Sequence, residues 1–123
     1  MSATSLSLGK QGELLARAYL EQAGYTILAY NYRARSGELD IVAEEAGTLV
    51  FVEVKTRKDT SFGSPFEAVT MKKQRQMAKV ALEYLGRHGG PERPARFDVV
   101  AVTFAGEAPR IELMKNAFEL NGG

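Results

Sequence analysis

At 123 residues, 45% of them hydrophobic, the chain suits one domain spanning 1–123 and is long enough to bury a real core. A net charge of +1 gives no global signature of a polyanion binder, and the lack of cysteine excludes a disulfide framework, a thiolate metal site and a cysteine nucleophile. That lack fits a reducing cytoplasm. No apolar run reaches the roughly eighteen residues of a membrane span, and Met1–Leu6 has neither the charged head nor the apolar run of a signal peptide.

In chain order, Leu8, Leu15, Ala18, Tyr19 and Gln22 follow helical spacing and predict a helix over 8–23, stopped by Gly24 and carrying Glu13. Tyr25 to Tyr32 is predicted as a first strand, with Ile27 and Leu28 inside it, and 33–37 as a loop. Residues 38–45 and 49–56 read as the two strands of a hairpin turned at Ala46-Gly47. A polar segment over 56–63 ends at a helix start: Ser64 as cap, Pro65 in the first position and Glu67 to complete a capping box.

This second helix is expected to run to about Leu85, closed by Gly86 and Gly89-Gly90, with Met77, Val80, Ala81 and Tyr84 as its buried stripe. Lys72, Arg75, Gln76 and Lys79 fall on another side of it. Residues 96–104 form a strand apolar enough to be central, Arg110 to Met114 a last strand, and 1–6 and 120–123 short flexible ends. His88, the single histidine, sits in a glycine-flanked loop, and its solitude argues against histidine-based nucleases and zinc hydrolases. The element order gives an α/β sandwich around a mixed central sheet.

The hairpin carries the chemistry. A two-residue turn at Ala46-Gly47 makes Glu45 face Thr48, Asp40 face Glu53 and Glu38 face Lys55. Strand alternation then places Leu39, Ile41, Ala43, Val50, Val52 and Val54 on one apolar face. Glu38, Asp40, Glu53 and Lys55 share the other face with Val42 and Phe51. Like charges directly opposed across a ladder are destabilising. A bound cation would turn that repulsion into a ligand set, and carboxylate oxygens suit a hard ion such as Mg²⁺ or Mn²⁺. Lys55, two residues beyond Glu53, would orient water or steady a phosphate oxygen, the kit of metal-assisted phosphodiester hydrolysis. The plain alternative for Glu53-Val54-Lys55 is a solvated strand with a weak ion pair.

Arg33, Arg35, Arg57, Lys58, Lys72, Lys73, Arg75 and Lys79 crowd the middle of the chain around the acidic pair. They are either ordinary solvated charge or the basic rim that an acidic site needs to attract a nucleic acid.

The α-β-β-β-α-β order, with an aspartate on the second strand and Glu-x-Lys on the third, resembles the PD-(D/E)xK nuclease superfamily of restriction endonucleases and archaeal Holliday junction resolvases. Gly9 to Glu13, Gly24-Tyr25, Asn31-Tyr32-Arg33, Gly37-Glu38-Leu39-Asp40 and 51–57 are similar to the YraN-like family of small bacterial proteins. The runs 62–65 and 97–100, together with Lys72, extend that match along nearly the whole chain. The resemblance implies a restriction endonuclease-like three-layer sandwich. It also implies Asp40, Glu53 and the Val54 carbonyl as ligands of Mg²⁺ or Mn²⁺, with Lys55 assisting the attacking water. Glu13 corresponds to a glutamate that resolvase-like members bring to the same ion, and Gln74 to a polar residue supporting the site. Glu38 is left open between pairing with Lys55, binding metal through water and holding the loop. The proline that names the superfamily is Leu39 here, which the register above turns to the apolar face.

These readings point to a metal-dependent endonuclease acting on DNA, with branched or structured DNA as a candidate substrate. The competing readings are a non-catalytic nucleic-acid-binding module on the same scaffold and a nuclease of structured RNA. A symmetric homodimer is the assembly that the resolvase resemblance implies.

Overall fold

The structure, a computed structural model, describes residues 6–59, 63–90 and 92–119. Helix α1 (Leu8–Gln22) is followed by strands β1 (Thr26–Ala34), β2 (Gly37–Glu45) and β3 (Thr48–Arg57). A short 3₁₀ turn (Pro65–Ala68) leads into helix α2 (Met71–His88) and then strands β4 (Ala95–Thr103) and β5 (Arg110–Phe118). The five strands form one sheet in the order β1-β2-β3-β4-β5. All neighbours are antiparallel except β3 and β4. A parallel pair needs a long crossover, and the segment containing α2 provides it. The expected three-layer α/β sandwich is the observed one.

Each face of the sheet has its own core. Ala16 and Leu20 of α1 pack with Ile41, Ala43, Val50, Val52, Val100 and Val102. Met77, Val80, Ala81, Tyr84 and Leu85 of α2 pack with Val42, Leu49, Phe51, Phe97 and Val99 on the opposite face. The hairpin turn is as predicted. Ala46 and Gly47 both have positive φ, 50° and 83°, the backbone of the two-residue turn that matches strand twist. The rungs Glu45–Thr48, Ala43–Val50 and Ile41–Val52 follow from it.

Several expectations are corrected. The stripe of α1 that meets the sheet is Gly12, Ala16 and Leu20, while Tyr19 is exposed. Small residues decide this: Gly12 lies against Thr56, where a Cβ would run into the threonine hydroxyl. The second helix comes in two pieces. Ser64 caps only the 3₁₀ turn, and α2 starts afresh at Thr70, whose hydroxyl accepts from Lys73 N at 3.2 Å. The helix then runs through Gly86 to His88, whose ring stacks on Tyr84 at 4.3 Å between centroids rather than lying in a loop. Strand β1 continues through Arg33 and Ala34, so a tight turn at Arg35-Ser36 replaces the expected loop, and β5 extends to Phe118. Phe66 packs partly buried against the α2-side core, and Phe62 lies outside the described residues. No helix among the described residues is long and apolar enough to cross a membrane.

Candidate active site

The predicted hairpin register holds as far as Ile41–Val52, and there the ladder between β2 and β3 stops. The next backbone donor on that edge of β3, Val54 N, bonds not to a β2 carbonyl but to Asp40 Oδ2 at 2.7 Å. The Asp40 side chain therefore sits between the two strands, lodged where they part. On its other side, Asp40 stands level with Asn31, flanked by the rungs Tyr30–Ile41 and Tyr32–Leu39. Asn31 has φ 49°, a left-handed conformation that Asn tolerates better than most residues.

This rung breaks the alternation of side chains. Tyr30 lies under the Arg17 guanidinium of α1, whereas Tyr32, two residues on, packs edge-on against Tyr84 of α2. Leu39 likewise joins the α2-side core with Val42 instead of the α1 face that regular alternation assigns it. It is fully buried there, so an apolar residue suits the position where the superfamily name has proline.

Glu53 is 4% exposed and lies on the α2 side, in line with Phe51 and Leu49. Lys55 Nζ approaches its Oε2 at 3.5 Å and Lys73 Nζ, from the first turn of α2, approaches the same oxygen at 3.6 Å. Two cations thus flank one carboxylate oxygen. Burial, then the Glu53 charge, push the Asp40 carboxyl up to about 7; the Val54 N–H and Lys73 pull the other way, while a shared hydrogen bond with Glu53 adds to the rise. A carboxyl raised in this way beside a second acid is the arrangement seen for paired carboxylates at functional sites.

The remaining predicted residues fall into three groups. Lys72, Arg75 and Lys79 are exposed along α2, and Arg35 and Lys58 are exposed at a turn and a strand end. Arg33 is also exposed and pairs with Glu38 at 3.1 Å, so Glu38 holds the β1–β2 rung and does not face Lys55. Arg57 braces its surroundings, its guanidinium donating to Thr103 Oγ1 at 3.3 Å and to the Gly63 carbonyl at 2.6 Å. Gln74 donates to the Val69 carbonyl at 3.1 Å and so secures the break before α2.

Glu13 pairs with Lys10 at 3.9 Å and has one carboxylate oxygen buried without a hydrogen-bond partner. Among the described residues no three of His, Cys, Asp and Glu are gathered into a group that could hold a metal ion, so Glu13 is not drawn into a cluster with Asp40 and Glu53. Sequence reasoning placed Lys73 on the rim and missed its contact with Glu53. The signal was available in its position three residues after the capping Thr70, the first turn of a helix entering next to the end of β3.

The donor set fits a hard divalent ion. Asp40 and Glu53 offer carboxylate oxygens, and strand geometry points the Val54 carbonyl to the same side as its N–H, toward Asp40. Mg²⁺ characteristically takes one or two carboxylates and keeps several waters, so two acids and a main-chain oxygen suffice. A cation would also offset the Glu53 charge that, after burial, raises the Asp40 carboxyl.

Fold and site together define an α/β sandwich whose central hairpin opens around two carboxylates served by two lysines. The chain belongs to the uncharacterised protein family UPF0102, whose model matches residues 12–102, and this is the family of the YraN-like pattern. It is 52% identical over 120 residues to a UPF0102 protein of Geobacter metallireducens, with 98% of each chain covered. It is 55% identical over 114 residues to one of Geobacter sulfurreducens, covering 92% of this chain and 89% of that one. A UPF0102 protein of Rhodococcus jostii is 48% identical over 117 residues, covering 94% and 99%.

Among solved structures it is similar to a repair endonuclease from Pyrococcus abyssi, with a TM-score of 0.48 and 16% identity, covering 87% of this chain and 42% of that one. It is also similar to the EndoMS protein in a complex with double-stranded DNA, with a TM-score of 0.46 and 18% identity, covering 78% and 36%. The chain spans less than half the length of either protein, and both are likenesses of outline.

Proposed function

We propose that the protein is a divalent-metal-dependent nuclease that hydrolyses phosphodiester bonds in DNA, branched or structured DNA included. The observation that carries this reading is the meeting of Asp40 and Glu53 where the hairpin opens, two acids close enough to push the Asp40 carboxyl up to about 7, with Lys55 and Lys73 beside them. A chain needing only a stable hairpin would not bring two carboxylates together where its strands part. Asp40, Glu53 and the Val54 carbonyl would hold Mg²⁺ or Mn²⁺. Such an ion, when bound, polarises a phosphoryl oxygen and makes water more acidic.

The chain's own residues do the rest. Asp40 would serve as a ligand in its ionised form. Its bond to Val54 N fixes the carboxylate in place and spares it from reorganising during the reaction. Lys55 projects its ammonium from β3 beside Glu53 and stabilises the charge that develops on the phosphoryl oxygens. Lys73 offsets the second negative charge of the acid pair.

The test is a cleavage panel with Mg²⁺ and Mn²⁺ on duplex, single-stranded, flap and four-way DNA and structured RNA. Asp40→Ala is expected to lose both metal binding and cleavage, and Lys55→Ala to keep metal binding while cleaving about 10²–10³-fold more slowly. Undiminished turnover in both variants would refute the assignment, and activity surviving in Asp40→Ala alone would expose a contaminating nuclease.

A further inference from the structure

Beside the acid pair the surface is hollowed twice. One hollow, of about 470 Å³, lies along the first turns of α2 and is lined by Lys72, Lys73, Arg75 and Lys79. The other, of about 460 Å³, opens at the β1–β2 turn under Arg33 and Arg35. Both include Ser36 and Gln76, so the two hollows join into one trough.

Its floor is held in place. Gln76 Nε2 reaches the Ser36 carbonyl at 3.5 Å and fills the space above Gly37, where any Cβ would collide with it. Glu83 of α2 accepts from Ser36 Oγ at 2.7 Å, from Arg35 N at 3.1 Å and from Ser36 N at 3.3 Å, which ties the turn to the helix. The single acid lining the trough, Glu38, is already paired with Arg33. None of the ion pairs among the described residues engages Lys72, Arg75, Lys79 or Arg35. Lys73 lines the trough and also touches Glu53, so its inner end meets the acid pair.

We infer that this trough seats the phosphodiester backbone of double-stranded nucleic acid, an inference that rests on the nuclease reading and names the form of its substrate. Fixed cations on two elements form a path for phosphates, and neutralising phosphates is what supplies sequence-independent affinity. Among the described residues the lining contains no aromatic side chain. A surface built for single strands stacks bases on aromatic rings, whereas the described lining is mostly cations with a hydroxyl-bearing turn and an amide. It therefore reads backbone and shape and leaves base sequence unread.

The test measures binding in EDTA, where neither metal nor cleavage enters. Fluorescence anisotropy would follow a labelled 30-base-pair DNA duplex, an RNA duplex of the same sequence and the DNA single strand across a salt series. The wild type is expected to bind a duplex more tightly than the single strand, the tighter of the two duplexes identifying the preferred sugar. Replacing Lys72, Arg75 and Lys79 together by Ala is expected to weaken duplex binding at least about tenfold and to flatten the dependence of log Kd on log salt by about 2–3. All three side chains are exposed, so the variant should keep its circular dichroism and Tm. Unchanged affinity and salt slope in that variant, or tighter binding of the single strand, would overturn the inference. A wild type that binds duplex as described but cuts nothing would sink the catalytic reading and leave the trough standing.

Discussion

Asp40 and Asp98 do the same local job in two different electrostatic settings. Each accepts a backbone N–H from the next strand at a place where the ladder is irregular: Asp40 from Val54 at 2.7 Å, Asp98 from Asn116 at 2.9 Å. Asp98 is fully buried, yet its charge is answered. Tyr25 OH donates to it at 2.6 Å and Arg96 Nε at 3.0 Å, and the same guanidinium reaches Glu45, which Lys115 also holds. Burial and Asp98 together push the Tyr25 phenol above its ordinary range, so it stays a donor. Asp40 instead meets another acid. Burial therefore does not set the two carboxylates apart in this fold; the sign of their neighbours does. One aspartate ties β4 and β5 to the α1–β1 junction, and the other shares its place with a second acid.

Removing the staple should have the largest effect. Asp98→Ala strands Arg96 Nε, the Tyr25 hydroxyl proton and Asn116 N, and is expected to cost about 3–5 kcal/mol of stability in chemical denaturation. Asp98→Asn, which keeps an acceptor, should lose less. The opposite sign is expected at the other aspartate. Asp40→Asn still accepts from Val54 N but no longer repels Glu53, so the metal-free protein at pH 8 should gain about 1 kcal/mol while losing metal-dependent cleavage. A loss of stability comparable to that of Asp98→Ala would erase the contrast.

A smaller effect is the response to pH. The folded Asp40 carboxyl titrates at about 7, against 3.8 for the free side chain, so between these values the folded state holds a proton that the unfolded state has released. Metal-free stability should therefore fall as pH rises through that window and level off above it. Asp40→Asn should abolish this part of the profile, as followed by Tm from pH 4 to 8.

How much of this was legible in the sequence follows the range of the interactions. The β2–β3 register was readable because Ala46-Gly47 is a local signal and each rung follows from the last. The buried stripe of α2 was readable because Met77, Val80, Ala81 and Tyr84 keep helical period. The face of α1 was misread because its contact with the sheet runs through Gly12 and Ala16, which carry little hydrophobic signal. Leu39 was assigned to the wrong face because the side-chain alternation breaks at Asn31 and Asp40, where a left-handed asparagine meets an inserted carboxylate. The Asp98 network joins residues up to 73 positions apart, and no local pattern announces it. Of the site itself, Asp40, Glu53 and Lys55 were legible as one hairpin's chemistry. Lys73 required knowing that α2 begins at Thr70 and not at Pro65.

The most direct measurement is calorimetric titration of Mn²⁺ and of Mg²⁺ into wild-type protein and Asp40→Asn at pH 8, where the Asp40 carboxyl is largely ionised. Saturable binding in the wild type that disappears in the variant is the expected result. Identical isotherms, or no binding heat in either protein, would contradict a metal grip by Asp40 and Glu53.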